Sequence, residues 1–228
     1  MKPKRLTYEQ CLERVAQKFE HAEYAMNMCR RLAETGQMDK ANELAFVLAR
    51  EVEHLALTTR ALPTYTGDPQ AEAIVAEMLE ETIPIQIGFT QQGWFGVSMP
   101  MLLPKKAGGS KEYVRSLLYP VMRRFFYGKE PIIYPNCVII YRHVYDRARP
   151  ERGYRDHDSL EVKAVTDVVA LYVMKDDSAL RCHHYYCSTA GDSERTEIYV
   201  LHQSELPEWL AAEKTFPDSG VKLLKNYP

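Results

Sequence analysis

Apolar residues recur at helical spacing through the first third of the chain. Tyr8, Cys11, Leu12, Val15, Phe19, Ala22, Met26, Cys29 and Leu32 fall on one stripe, which predicts an amphipathic helix from about Tyr8 to Thr35, ended by Gly36. Leu44, Leu48, Val52 and Leu55 carry the same period and predict a second helix over about 39–60. The link between them is short, so the two form an antiparallel helical hairpin. Pro63, Thr66 and Gly67 break the pattern. Asp68 then caps a third helix that has Pro69 in its first turn and runs to about Glu81.

From Ile83 the pattern turns strand-like. Ile85–Phe89 and Trp94–Leu103 are rich in β-branched, aromatic and apolar residues. A basic loop with Gly108 and Gly109 leads to a helix over about 111–127, with Pro120 predicted to kink it. Cys137–Tyr145 reads as a strand. A basic turn containing Pro150 and Gly153 follows, and then a run with Val162, Val165, Val169 and Tyr172 at roughly helical spacing. Leu180–Ser188 and Thr196–Leu201, separated by a polar turn, read as an antiparallel hairpin, and a last helix spans about 204–214. The fold class expected is α+β. Helices pack on one face of a mixed sheet (residues 83–228), preceded by an N-terminal helical hairpin (residues 1–82).

The stretch from Arg155 to Ser178 carries the candidate chemistry. Asp156 and Asp158 are two residues apart and would share one face of an extended segment. Asp158 and Glu161 have the spacing of a helix N-cap and its capping box. Asp176 and Asp177 open the segment after that helix. Clustered carboxylates repel one another and hold position best around a hard divalent cation such as Mg²⁺. The bland alternative is a capping Asp followed by an ordinary Asp-Asp-Ser turn.

Composition sharpens this only locally. The 228 residues carry a net charge of −2, with 46% hydrophobic and 26% charged residues. From Lys105 to Arg155, however, 12 Lys and Arg stand against 4 Asp and Glu. A basic stretch leading into carboxylates suits a polyanionic ligand. Lys105, Lys106, Lys111, Arg115, Arg152 and Arg155 are its candidate phosphate contacts. No apolar run reaches membrane-span length, so no membrane partner is expected. Five scattered cysteines and no signal-like N-terminus point to reduced thiols and a cytoplasmic location. Cys182-His183-His184-Tyr185-Tyr186-Cys187 invites a zinc reading, but its ligands would lie on both faces of one strand.

The motif Arg155-Asp156-His157-Asp158-Ser159, the helix bearing Lys163 and Asp167, and Lys175-Asp176-Asp177-Ser178 together resemble the RusA-like family of Holliday-junction resolvases. The likeness covers roughly half the chain and leaves the N-terminal helices outside it. It implies an endonuclease acting on branched DNA as a homodimer. Asp156, Asp158 and Asp177 would hold Mg²⁺ or Mn²⁺, with Asp176 as their neighbour and Lys163 as the helix lysine. Ser159 stands where the family has Asn, and Lys163 lies one residue further along the helix, turned by about 100°. A catalytically silent member, acting as a nucleic-acid-binding or protein-interaction module, is the alternative.

Overall fold

The computed structural model describes residues 6–130, 132–150 and 154–224. The chain divides into two compact units. One is helical, ends at Met78 and takes in Ala107–Tyr113; the other comprises Leu79–Lys106 and the chain from Val114 onward.

In the helical unit, α1 (Tyr8–Glu34) and α2 (Met38–Ala61) form the expected hairpin. Thr7 and Gln10 close a reciprocal capping box at the start of α1. Gly36, at φ +73°, turns the chain between the helices, a conformation that β-carbons oppose. The residues buried along the hairpin are small: Cys11, Ala22, Ala25 and Ala41. Leu12, Phe19 and Val52 of the same apolar pattern stay exposed. The segment 107–113 is tied to α2 by His54 Nε2 on the Gly108 carbonyl and by the Arg60 guanidinium over the Tyr113 ring, 4.8 Å from its centroid. Beyond a 3₁₀ turn (Leu62–Thr66), α3 spans Ala71–Thr82, later than the expected start: Asp68 and Pro69 lie in the turn before it, where the Asp68 carboxylate accepts from Gln70 N at 2.8 Å.

The second unit is built on a five-stranded mixed sheet, so the α+β class holds. Its strands are β1 (Gln86–Phe89), β2 (Phe95–Met99), β3 (Cys137–Asp146), β4 (Cys182–Gly191) and β5 (Arg195–His202), in the order β1-β2-β5-β3-β4. The helices are α4 (Ser110–Phe126, with Pro120 inside), which belongs to this unit from Val114 onward, α5 (Val162–Val173) and α6 (Leu206–Thr215). β2 ends at Met99, short of the predicted Leu103, because Pro100 cannot donate to a ladder.

The predicted hairpin of the last two strands does not form. β3 lies between them, parallel to β4 and antiparallel to β5. The reason is burial. From Cys137 to Tyr145 every residue of β3 is buried, and such a strand needs a neighbour on each side. The short turn after Gly191 crosses the end of β3 instead of folding back.

Register sorts the two faces. Ile139, Tyr141 and His143 share a face with Val200, Ile198 and Thr196, and α5 covers it. There the Tyr141 hydroxyl donates to the Val162 carbonyl at 3.2 Å and meets Thr166 Oγ1 at 2.7 Å. Phe126 of α4 stacks on Tyr172 of α5, with centroids 5.2 Å apart. The other face is covered as well: Val138, Ile140, Tyr199 and Leu201 pack with Trp94, and with Trp209 of α6.

Arg142 lies on that second face with no exposure at all. Its guanidinium donates to Glu197 Oε2 at 3.0 Å, to Glu213 Oε1 at 3.1 Å and to the Pro217 carbonyl. Glu197 also accepts from Arg195 Nε at 2.7 Å and from the Tyr199 hydroxyl at 2.9 Å. Among the described residues no helix is long and apolar enough to cross a membrane.

Removing one member of this network strands the others in a dry environment. We expect Glu197→Leu to cost about 3–5 kcal/mol in urea unfolding, since it leaves Arg142 short of its buried partner. Arg142→Met costs less, because Arg195 still neutralises Glu197. Equal losses from the two variants would contradict this assignment.

Candidate functional site

The carboxylate stretch is held by its backbone more than by its side chains. Tyr154 packs on Tyr145 with centroids 4.7 Å apart, and the Tyr145 hydroxyl lies 3.2 Å from Arg155 N. The Arg155 guanidinium donates to the Leu103 carbonyl at 2.6 Å, so its expected role toward phosphate competes with a structural bond. Residues 104–106 then run antiparallel to 159–161. Lys106 N donates to the Ser159 carbonyl at 2.8 Å, and Glu161 N to the Pro104 carbonyl at 2.9 Å. Lys105 bridges to Leu160 in the same ladder. The basic loop and the carboxylate stretch therefore meet, as the sequence suggested, and Lys106 Nζ reaches the Asp158 carbonyl at 2.7 Å.

The capping box is placed differently from expectation. Asp156 starts a 3₁₀ turn over His157–Ser159, and Asp158 sits within that turn. Glu161 is the N-cap of α5, accepting from Ala164 N at 3.4 Å. The intervening turn consumes the residues that would have made Asp158 the cap. The side chains of Asp156 and Asp158 are exposed.

At the other end of the motif, the Asp176 carboxylate accepts from Ser178 Oγ at 2.5 Å and Ser178 N at 3.3 Å, and the first bond holds its pKa below the usual range. This is the turn chemistry of the bland alternative. Asp177 is paired with Lys163 at 3.0 Å, and Lys163 also meets Asp167 at 2.5 Å. Asp167 first, then Asp177, raises the pKa of the lysine. The structure thus brings Lys163 to Asp177, the last carboxylate of the motif. It does not gather Asp156, Asp158, Asp176 and Asp177 into a cage. Among the described residues no three His, Cys, Asp or Glu side chains are placed to hold a metal ion. The donors present therefore do not fit a bound Mg²⁺ or Mn²⁺ in this arrangement, nor a zinc ion on the Cys182–Cys187 segment.

Histidine is used for packing. His157 Nε2 lies 2.8 Å from Ser188 Oγ, and its ring stacks between His143 at 5.4 Å and Tyr186 at 5.7 Å. Tyr186 stacks in turn on Tyr141, 5.4 Å away. His143 is wholly buried with both ring nitrogens lacking a hydrogen-bond partner. Burial first, then His157 and Arg155, push its pKa down to about 4.

Of the remaining predicted phosphate-binding residues, Lys111 belongs to the helical unit and Arg115 to the sheet unit, while Arg152 lies outside the described residues. Arg115 begins a feature that the apolar pattern of its helix does not reveal. Arg115, Tyr119, Arg123 and Tyr127 recur every four residues along one side of α4 and into the turn that follows it. All four are exposed, Tyr119 by 42% and Tyr127 by 85%. Tyr119, the second residue of the stripe, rests against Tyr172 of α5 at 6.4 Å. Its signal in the sequence is a four-residue spacing, masked by the stronger apolar periodicity on the opposite side of the helix.

His143 supplies a pH dependence with a definite sign. Its pKa falls from 6.5 to about 4 on folding, so the unfolded chain binds the extra proton. Stability therefore drops as pH falls from about 6.5 toward 4, by up to about 3 kcal/mol. Urea midpoints between pH 4.5 and 7.5 should show this slope in the wild type and a flatter one in His143→Phe.

No curated protein and no solved structure matches the chain. One family model does, across residues 3–226, almost the full length. On that match the chain belongs to DUF6100, described as a family of unknown function.

Proposed function

We propose that this chain is a nucleic-acid-binding protein with a RusA-like core, that branched DNA is its ligand, and that it binds without a metal-dependent cutting step. The observation that supports this most is the Arg115–Tyr119–Arg123–Tyr127 stripe. Guanidinium groups pair with phosphates in a forked geometry, and tyrosine rings stack on unpaired bases whatever their identity. A DNA branch point offers both partners together. The lysine-held carboxylates favour binding over hydrolysis, since Asp177 is neutralised by Lys163 and Asp176 is engaged in its own turn.

A second reading, a structure-specific endonuclease dependent on Mg²⁺ or Mn²⁺ and acting as a homodimer, has one observation in its favour. Lys163 and Asp177, separated by 14 positions and both in the motif that resembles RusA-like resolvases, are neighbours at 3.0 Å.

Fluorescence anisotropy with labelled four-way junction, linear duplex and single-stranded DNA tests both readings. The junction should bind most tightly, with an affinity that falls steeply as salt rises. Arg115→Ala/Arg123→Ala should weaken binding and reduce the salt slope by about 2, because each arginine neutralises one phosphate. Cleavage of the junction with Mg²⁺ or Mn²⁺, abolished in Asp177→Asn, would move the assignment to the endonuclease. No binding to any of the three DNAs would overturn both.

A further inference from the structure

The two edges of the sheet are treated unequally. β1 has four residues, and Phe89 exchanges backbone hydrogen bonds with Leu224 of the same chain, at 3.2 and 2.7 Å. β4 has ten residues, and among the described residues its strand partner is β3 alone. Natural edge strands are commonly protected by lysine, proline, inward charge or a bulge. β4 reads Cys-His-His-Tyr-Tyr-Cys-Ser-Thr-Ala-Gly and contains no lysine, arginine, aspartate, glutamate or proline. Its ladder with β3 runs unbroken from Cys182 to Gly191, so no bulge turns the edge away.

We infer that β4 is an interface between two copies of this chain, paired edge to edge and antiparallel about a twofold axis. The charge pattern supports a second copy as the occupant. The strand carries no lysine, arginine or carboxylate, so no fixed charge along it repels its own image. Its flanks are opposite in sign: exposed Arg181, which donates to Asn136 Oδ1 at 3.4 Å, precedes it, and exposed Asp192, which pairs with Arg147 at 2.8 Å, follows it. Antiparallel pairing brings the Arg181 end of one copy to the Asp192 end of the other.

The pleat restricts the register. Opposed residues must point to the same face, so the axis passes through a residue and not between two. At the middle of the strand that residue is Tyr186 or Cys187. Either choice leaves Arg181 of one copy one residue from direct opposition to Asp192 of the other. The two central tyrosines, Tyr185 and Tyr186, are half-buried within one copy, and their remaining surface is available for cross-strand packing. Such an interface is isologous and closes at two copies, joining two five-stranded sheets into one. The inference stands on the edge itself and does not depend on the DNA-binding reading.

The test uses the full chain without DNA. Sedimentation equilibrium from 1 to 200 μM should show a species of twice the monomer mass. His183→Lys/His184→Lys, which places charge at exposed positions of β4, should return it to the monomer with its circular dichroism unchanged. Amide exchange on the wild type should show protection in β4 that rises with protein concentration, which keeps the test informative if the variant fails to fold. A monomer throughout would overturn the inference. So would a dimer that the variant retains, or one whose concentration-dependent protection lies in α1 and α2.

Discussion

A guanidinium cannot shed its charge inside a protein, so Arg142 obliges everything near it to supply acceptors. At zero exposure its desolvation is offset by Glu197 on the neighbouring strand, Glu213 on α6 and the Pro217 carbonyl in the segment beyond α6. One side chain thereby gathers a strand, a helix and a stretch of tail. The requirement spreads further. Glu197, drawn inward, takes Arg195 and Tyr199 as additional donors, and the chain must pass close to its carboxylate at Gly220. A β-carbon there would lie 2.3 Å from Glu197 Oε2, so only glycine fits. The far end of the same face is dry, with Trp94 and Trp209 both fully buried.

The opposite face has no charge of this kind. α5 lays Val162, Val165, Val169 and Val173 onto the sheet, and its charged residues are left at the margin. This explains where the motif chemistry ends up. Lys163 and Asp167 lie on the outer flank of α5, and Asp177 folds back to join them. The carboxylates ahead of the helix are instead positioned by a backbone ladder with residues 104–106. Two short segments that look equivalent in sequence are thus anchored by different means, one through ion pairs and the other through peptide groups. A shared ligand would have to draw them together against both sets of bonds.

Much of the architecture was legible because it follows from periodicity. The stripe from Tyr8 to Leu32 and the apolar run through Ile139 and Ile140 have few alternatives. Strand order was not legible, because a hairpin and a crossing over β3 use the same short turn after Gly191. The choice depends on β3's need for two neighbours, which is a property of the assembled sheet. Arg142 was hidden for a related reason: within Cys137–Asp146 it reads as an interruption on a solvent face, and only Glu197 and Glu213, more than 50 positions away, make its burial tolerable. At the motif, residue types predicted a cap near Asp158 but not the 3₁₀ turn that passes the role to Glu161. The meeting of Lys163 with Asp177 was not legible either: the resemblance implied a helix lysine turned by about 100°, and only the fold shows which carboxylate it reaches.

The strand order also constrains the course of folding. β2 pairs with β5 across roughly 100 residues, Phe95 opposite Val200, and β3 pairs with β5 across more than 50, Ile139 opposite Val200. Among the described residues β5 is the last of the five strands to emerge during synthesis, and it is the one that joins the β1–β2 ribbon to the β3–β4 pair. Until His202 has been made, the nascent chain holds two separate half-sheets, each with apolar strands open on the side that β5 will close. Loop closures of that length set a slow rate and a long exposure, so the growing chain depends on its helices, or on a chaperone, to shield β3 before its second neighbour arrives.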